Sequence, residues 1–263
     1  MRTVLTIVRY ELRNVARNRW VLSYALFFLV ATELMLRLGG SGPRALLSLL
    51  NVVVLLIPLV TIVFGTIYWH GAREFTELLL AQPVQRSSLF HGLFAGLVLP
   101  LSAAYLVGVM VPLLLHRAIG AESVDLLLMM LVAGVALTAV FGALAVLIAS
   151  RVDDRLRALG IALGTWALMT LAWDGLVLWV TVAFAAYPLE RPLLAMMFAN
   201  PVDLARVLLV LRLDVSALMG YTGAVFNQFL GGVTGTVAAV GGLALWALVP
   251  GLFALRTFNR RDF

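Results

Sequence analysis

Ala45-Leu-Leu-Ser-Leu-Leu-Asn51-Val-Val-Val-Leu-Leu-Ile-Pro58-Leu-Val-Thr61-Ile-Val-Phe-Gly65-Thr-Ile-Tyr-Trp69 carries no charged side chain over its whole length. About 20 apolar residues in a helix cross a hydrocarbon core, and a soluble core needs no run of that size. Leu126 to Ser150 is a second charge-free stretch of the same kind. Working outward, the spacing of apolar runs predicts six membrane helices, at 20–36, 46–69, 88–115, 126–149, 158–187 and 230–255. The composition agrees: 63% of the 263 residues are hydrophobic and 12% charged, where soluble domains are roughly half apolar and a quarter charged. The expected class is an all-α membrane protein forming one domain over 1–263.

The arginines set the expected orientation. Arg2, Arg9, Arg13, Arg17, Arg19, Arg73, Arg86, Arg151, Arg155, Arg157, Arg256, Arg260 and Arg261 flank the runs on one side; Arg37, Arg44, Arg117, Arg191, Arg206 and Arg212 lie on the other. That excess of about two to one places the first set, and both termini, in the cytoplasm by the positive-inside rule. Met1 to Arg19 has no unbroken apolar run of the kind a cleavable signal needs. Its Val4, Val8, Leu12 and Val15 oppose Arg2, Arg9, Arg13 and Arg17 on a helical wheel, which reads as an interfacial helix or as a basic flank of the first span. The pI of about 10.5 does not indicate nucleic acid, because the arginines are scattered between spans rather than gathered on one face.

Lysine does not occur in the sequence, and neither does cysteine. A Walker A phosphate loop needs its lysine, as does a Schiff base; without cysteine there are no disulfides, thiolate metal sites or thiol nucleophiles. Any ATP and magnesium that the protein's work requires must be bound by another chain, and no cofactor or metal is expected in this one. No catalytic residue is expected either: intramembrane hydrolysis needs a serine and a histidine in mutual reach or a pair of membrane aspartates, and Asp174 stands alone in mid-membrane.

Between the second and third runs, 70–87 includes Arg73-Glu74-Phe75-Thr76-Glu77-Leu78-Leu79-Leu80-Ala-Gln82-Pro83. A short helix here sets Glu74 and Glu77 on one face and Phe75, Leu78 and Leu79 on another, a shape that suits a groove in a partner. Beyond the fifth run, 188–229 is too long for an unstructured connection. It is expected to hold short helices on the extracytoplasmic side, with 215–229 dipping into or lying on the outer leaflet. Within it Asn200-Pro201-Val202-Asp203 has the form of a helix start: Asn200 as N-cap, Pro201 at the first position and Asp203 at the third.

The segment around Arg73, Glu74, Thr76, Glu77, Leu79 and Pro83, with the basic tail Arg256-Thr-Phe-Asn-Arg260-Arg261-Asp262-Phe263, resembles permease subunits of the ABC-2 superfamily, of type V exporter-like fold. Arg17-Asn18-Arg19-Trp20, the Leu-Leu-Leu-Ala-Gln-Pro-Val loop at 78–84, Asp174-Gly-Leu-Val-Leu and Asn200-Pro-Val-Asp203-Leu-Ala-Arg206 bring it nearest to the permeases of the nitrous oxide reductase maturation (Nos) system. That resemblance implies a multi-pass homodimer in the bacterial inner membrane. It also implies two copies of a cytoplasmic ABC ATPase, a periplasmic repeat protein as partner, and a role in assembling copper centres. The helix from Arg73 to Pro83 would be the coupling element, and Asn200, Pro201, Asp203 and Arg206 would face the outer partner. The alternatives are a generic ABC-2 exporter subunit for lipid, drug or polysaccharide, and an intramembrane enzyme using Asp174.

Asp174 falls in the middle of the fifth run, where an ionisable group costs about 2.5–3.5 kcal/mol on insertion scales unless it finds a partner or water. It reads either as functional or as a carboxyl bonded to a neighbouring helix. Glu33, near the outer end of the first span, reads as interfacial. Gly160–Gly164 and Gly231–Gly235 are pairs of small residues four apart, suited to a dimer seam or to packing within the chain. Met196, Met197 and Met219 read as packing residues rather than copper ligands, and His70, His91 and His116 are far apart. Asp153 and Asp154, between Arg151 and Arg155, read as a tight turn with solvated ion pairs.

Overall fold

The computed structural model of the chain describes residues 18–38, 43–81, 85–116, 124–185, 187, 189–210 and 233–260. The expected basic helix before Asn18, Pro83, Met219, Gly231, the stretch 211–229 and the tail beyond Arg260 lie outside them. Among the described residues the regular structure is helical throughout. In chain order it comprises α1 (Arg19–Leu38), α2 (Pro43–Gly71), α3 (Arg73–Leu80), α4 (Arg86–Leu115), α5 (Val124–Arg151), α6 (Arg155–Ala167), α7 (Trp173–Ala183), α8 (Glu190–Phe198), α9 (Pro201–Val210) and α10 (Val233–Arg260). Six helices are long and apolar enough to cross a membrane: α1, α2, α4, α5, the α6–α7 pair and α10. Each begins and ends within a few residues of an apolar run read from the sequence, except that the fifth is interrupted.

α5 is the hub, packed on α2, α4, α9 and α10, while α1 lies along α4 and α6 along α2. Close approach at the hub depends on two glycines. A Cβ on Gly108 of α4 would stand 2.6 Å from the Phe28 Cβ and 2.8 Å from the Ala25 carbonyl oxygen of α1. One on Gly134 of α5 would run into the Tyr105 ring. Tyr105, fully buried, stacks edge-on with Phe28 and donates its hydroxyl to the Met130 carbonyl at 2.8 Å. At the other end Trp69, Phe90 and Phe258 form a triangle of rings 5.5–5.8 Å apart that joins α2, α4 and α10.

The fifth span departs from the expected single helix. Over Leu168–Ala172 it makes a π-turn, with the Trp173 amide bonded five residues back to the Leu168 carbonyl. Outside that turn α7 has no buried residue and α6 only Ala158 and Ala162.

The connection after the fifth span also differs from expectation. Its described part is a V: α8 and α9 bend by 106° at their junction. The junction is seated inside the bundle, not laid over its end. Phe198 offers its carbonyl to Trp246, the midpoint residue of α10, at 3.0 Å, and Val202, Leu204, Ala205 and Leu208 are fully buried. The apolar run Leu204-Ala-Arg-Val-Leu-Leu has too much aliphatic surface to leave in water, and the bundle interior accepts it.

Candidate functional site

Two places bring polar groups together. The first is the bundle end that carries Arg73, Arg86, Arg155 and Arg260. There α2 ends at Gly71, Ala72 turns the chain, and α3 follows at once with the Thr76 hydroxyl donating back to the Ala72 carbonyl at 2.8 Å. Thr76 is buried, and Leu79 and Leu80 pack against the core. The spacing of 76, 79 and 80 is the inward stripe of a short amphipathic helix. Glu74 and Glu77 are exposed on the other face, with Leu78 72% exposed beside them.

α3 is fixed to the turn between α5 and α6. Arg73 donates to Asp153 at 3.1 Å and lies 3.6 Å from Glu77. Two residues before that turn, His70 places its Nδ1 2.9 Å from the Thr66 carbonyl and its Nε2 3.0 Å from the Val152 carbonyl. Asp154 caps α6 by accepting the Arg157 amide at 2.7 Å. Arg86, opening α4, donates to the Asn259 carbonyl of α10 at 3.0 Å. A push on α3 therefore reaches the turn at the roots of α5 and α6 through Arg73 of α3 and His70 of α2, and Arg86 joins the Phe90–Phe258 ring contact in tying α4 to the end of α10.

The second place is in mid-span. Asn200 caps α9, its Oδ1 accepting the Val202 amide at 2.9 Å, and its Nδ2 donates to the Met169 carbonyl inside the π-turn at 2.7 Å. Two turns along, Arg206 Nη1 meets both carboxylate oxygens of Asp174, at 2.8 and 2.7 Å, with Asp203 3.6 Å away. Two carboxylates thus share one guanidinium. At the far end of α1, Glu33 accepts from Arg37 at 2.7 Å and meets His116 of α4 at 2.9 Å.

Several site expectations change here. Asp174 is not isolated, because Arg206 reaches it across 32 positions. Asn200 is 1% exposed, Pro201 is buried and the Asp203 side chain is 14% exposed. These residues and Arg206 therefore pack into the bundle instead of lying over its end; the cap makes α9 start at a buried point, and its polar side chains follow it in. Leu79 and Thr76 likewise serve α3's inward face, while Leu78 takes the exposed place. A Cβ on Gly160, Gly164 or Gly175 would meet nothing within 4 Å, whereas Gly235 is buried. Met197 is buried against Val207. Among the described residues no three histidine or carboxylate groups gather in a metal-binding cluster. The sequence reading did not single out Trp166, Trp246 or His70's double contact; an unpaired mid-span Asp174 was itself the signal that some arginine had to lie nearby.

Comparison with known proteins bears on both places. A family described as ABC-2 family transporter protein matches residues 5–263. Two curated relatives are each called a probable ABC transporter permease protein NosY. The one from Stutzerimonas stutzeri is 29% identical over 281 residues and the one from Pseudomonas aeruginosa 28% over 277, each covering 99% of both chains.

Proposed function

The chain belongs to the ABC-2 family of transporter proteins, a multi-pass membrane permease, and from that premise we propose that a separate cytoplasmic ABC ATPase drives it through α3. The observation that carries this reading is the outward face of α3: two carboxylates and a bare leucine on a helix otherwise packed and ion-paired to its own bundle. Leu78 offers the apolar anchor and Glu74 and Glu77 the charge that a cationic groove recognises. With no lysine for a Walker A loop, nucleotide and magnesium belong to the partner. Nucleotide-driven movement of that partner displaces α3, and Arg73 and His70 transmit the displacement to the α5–α6 turn.

The role extends, on this proposal, to copper-site maturation of nitrous oxide reductase with a periplasmic Nos partner. The names of the two relatives and the ordered local likenesses support it. The permease acts as a homodimer with both termini in the cytoplasm. Support for the dimer lies in the fifth span: 11% of its most apolar window is buried, against 56% for α4 and α5. Its glycines are open, and Asp174, 47% exposed, cannot face lipid without the cost given above. A second copy covers that face.

The test is to replace Glu74 and Glu77 by arginine and measure ATP hydrolysis in the complex purified with its co-expressed ATPase. Loss of hydrolysis or of co-purification is expected, and an intact, fully active complex overturns the coupling role. For the maturation role, deleting the gene should leave the host's nitrous oxide reductase without its full copper complement. A copper-replete reductase would instead favour the generic exporter.

A further inference from the structure

We infer that the α8–α9 V is a clamp which holds the fifth span in its π register, so that displacement of the V turns α7 about its own axis. At the π-turn one regular α-helical backbone bond is replaced. The Trp173 amide is bonded to the Leu168 carbonyl, so the Met169 carbonyl, its partner in an ordinary α-helix, is left without that donor. In hydrocarbon no water can replace it. Asn200 does so from the tip of the V, at 2.7 Å.

The same V holds the span a second time, one residue beyond the start of α7, through the Arg206 bond to Asp174. The two contacts lie one on each side of the junction between the π-turn and α7. Asn200 can make its contact while still capping α9 because its amide supplies an acceptor to Val202 and a donor to Met169. Trp246 completes the seat by holding the Phe198 carbonyl.

A π-turn contains one residue more than the α-helix it interrupts. When the V withdraws, Met169 loses its donor and recovers one if the turn closes into α geometry. Removing the extra residue's offset rotates everything beyond it by about 100° and shifts it by about 1.5 Å. Among the described residues, apart from the Asp174–Arg206 bond, little packing opposes that rotation, since α7 buries no residue and lies against little except the turn it continues. Asp174, moved by about 100°, leaves Arg206 and presents its carboxylate to a different face. Asn200 is therefore a positioning residue and the V a conformational device, whichever cargo or partner the complex serves.

The absence of cysteine permits a clean test in the full-length chain reconstituted in lipid nanodiscs. Single cysteines placed in turn through 156–165 and 175–182 carry a nitroxide label, and oxygen accessibility is read by electron paramagnetic resonance. In the wild type the accessibility wave of the second stretch should be offset by about 100° from the continuation of the first. A single unbroken phase through both stretches overturns the inference. Asn200→Ser retains a capping oxygen but is too short to reach Met169, and should bring the second stretch into phase; Arg206→Gln should do the same in a larger fraction of molecules. Folded variants that both keep the wild-type offset overturn the clamp. An unbroken phase in the wild type overturns the inference even if neither variant accumulates.

Discussion

Removing the Arg206 guanidinium should damage the protein more than removing the carboxylate to which it is bonded. In Asp174→Ala the guanidinium keeps Asp203, 3.6 Å away, and what is lost is a charge-assisted hydrogen bond, worth about 1.5–3 kcal/mol. The low end applies because the Asp174 side chain is 47% exposed. In Arg206→Ala two carboxylates remain beside each other with no cation, and Asp203, only 14% exposed, is the more enclosed of the two. Breaking a buried pair from one side costs about 3–5 kcal/mol. The double variant leaves one carboxylate instead of two, so it should fall between the single variants. Reversible denaturation by titrated detergent, on the full-length chain in mixed micelles, gives the three free-energy differences. The reasoning is refuted if Asp174→Ala is as damaging as Arg206→Ala, or if the double variant is worse than Arg206→Ala alone. Either result would mean that the three charges do not share one site.

Two further outcomes follow from glycine spacing and from the basic end. Gly108→Ala should lower stability by about 1–3 kcal/mol, the usual penalty of overpacking, because its Cβ must displace backbone of α1; Gly160→Ala, whose Cβ meets nothing within the chain, should leave monomer stability unchanged, and thermal unfolding of the two variants side by side checks the contrast. Arg73→Ala removes ion pairs whose side chains are 40–72% exposed, so stability should change by less than about 1 kcal/mol while ATP hydrolysis by the assembled complex becomes uncoupled; a large loss of folded protein would show that Arg73 supports the fold instead.

Six apolar runs, the helix at Arg73–Leu80 and the Asn200 cap were all legible, because each depends on residues close together in sequence. The inward turn of Arg206 was not, since its partner lies 32 positions away and only packing brings them together. Nothing in Leu168-Met-Thr-Leu-Ala172 signals a π-turn: it contains no glycine or proline, and its cause is a side chain on another helix. The grouping of Leu79 with Leu78 on one face of α3 is divided by the structure for a related reason. Periodicity found two faces, but Thr76 lay between an acidic and an apolar stripe, and only the contact with the core decided that 76, 79 and 80 go in and Leu78 goes out. The burial of the V was the largest difference. A run with Asp203 and Arg206 in it reads as a surface helix until the two charges are seen to neutralise each other beside Asp174.

That difference leads to a more general reading of the polar side chains in the bundle. Within a bilayer every interrupted backbone bond needs a new partner, and several polar contacts between helices occur where regular geometry fails. Pro58 leaves the Val54 carbonyl without its amide partner, and Trp166 donates to the adjoining Leu55 carbonyl at 3.2 Å. Phe198 ends α8, where carbonyls run out of intrahelical donors, and Trp246 donates to the Phe198 carbonyl. Met169 lies in the π-turn, and Asn200 takes it. All three donors come from a different helix than the carbonyl they serve. At the π-turn the donor meets the very carbonyl that the irregularity leaves without its amide, so a V that moves must either carry that segment with it or let it regularise. α2, α6 and the V are joined in series by two such bonds, with the π-turn between them, which makes the fifth span the element through which displacement at one end of the bundle is converted to rotation at the other.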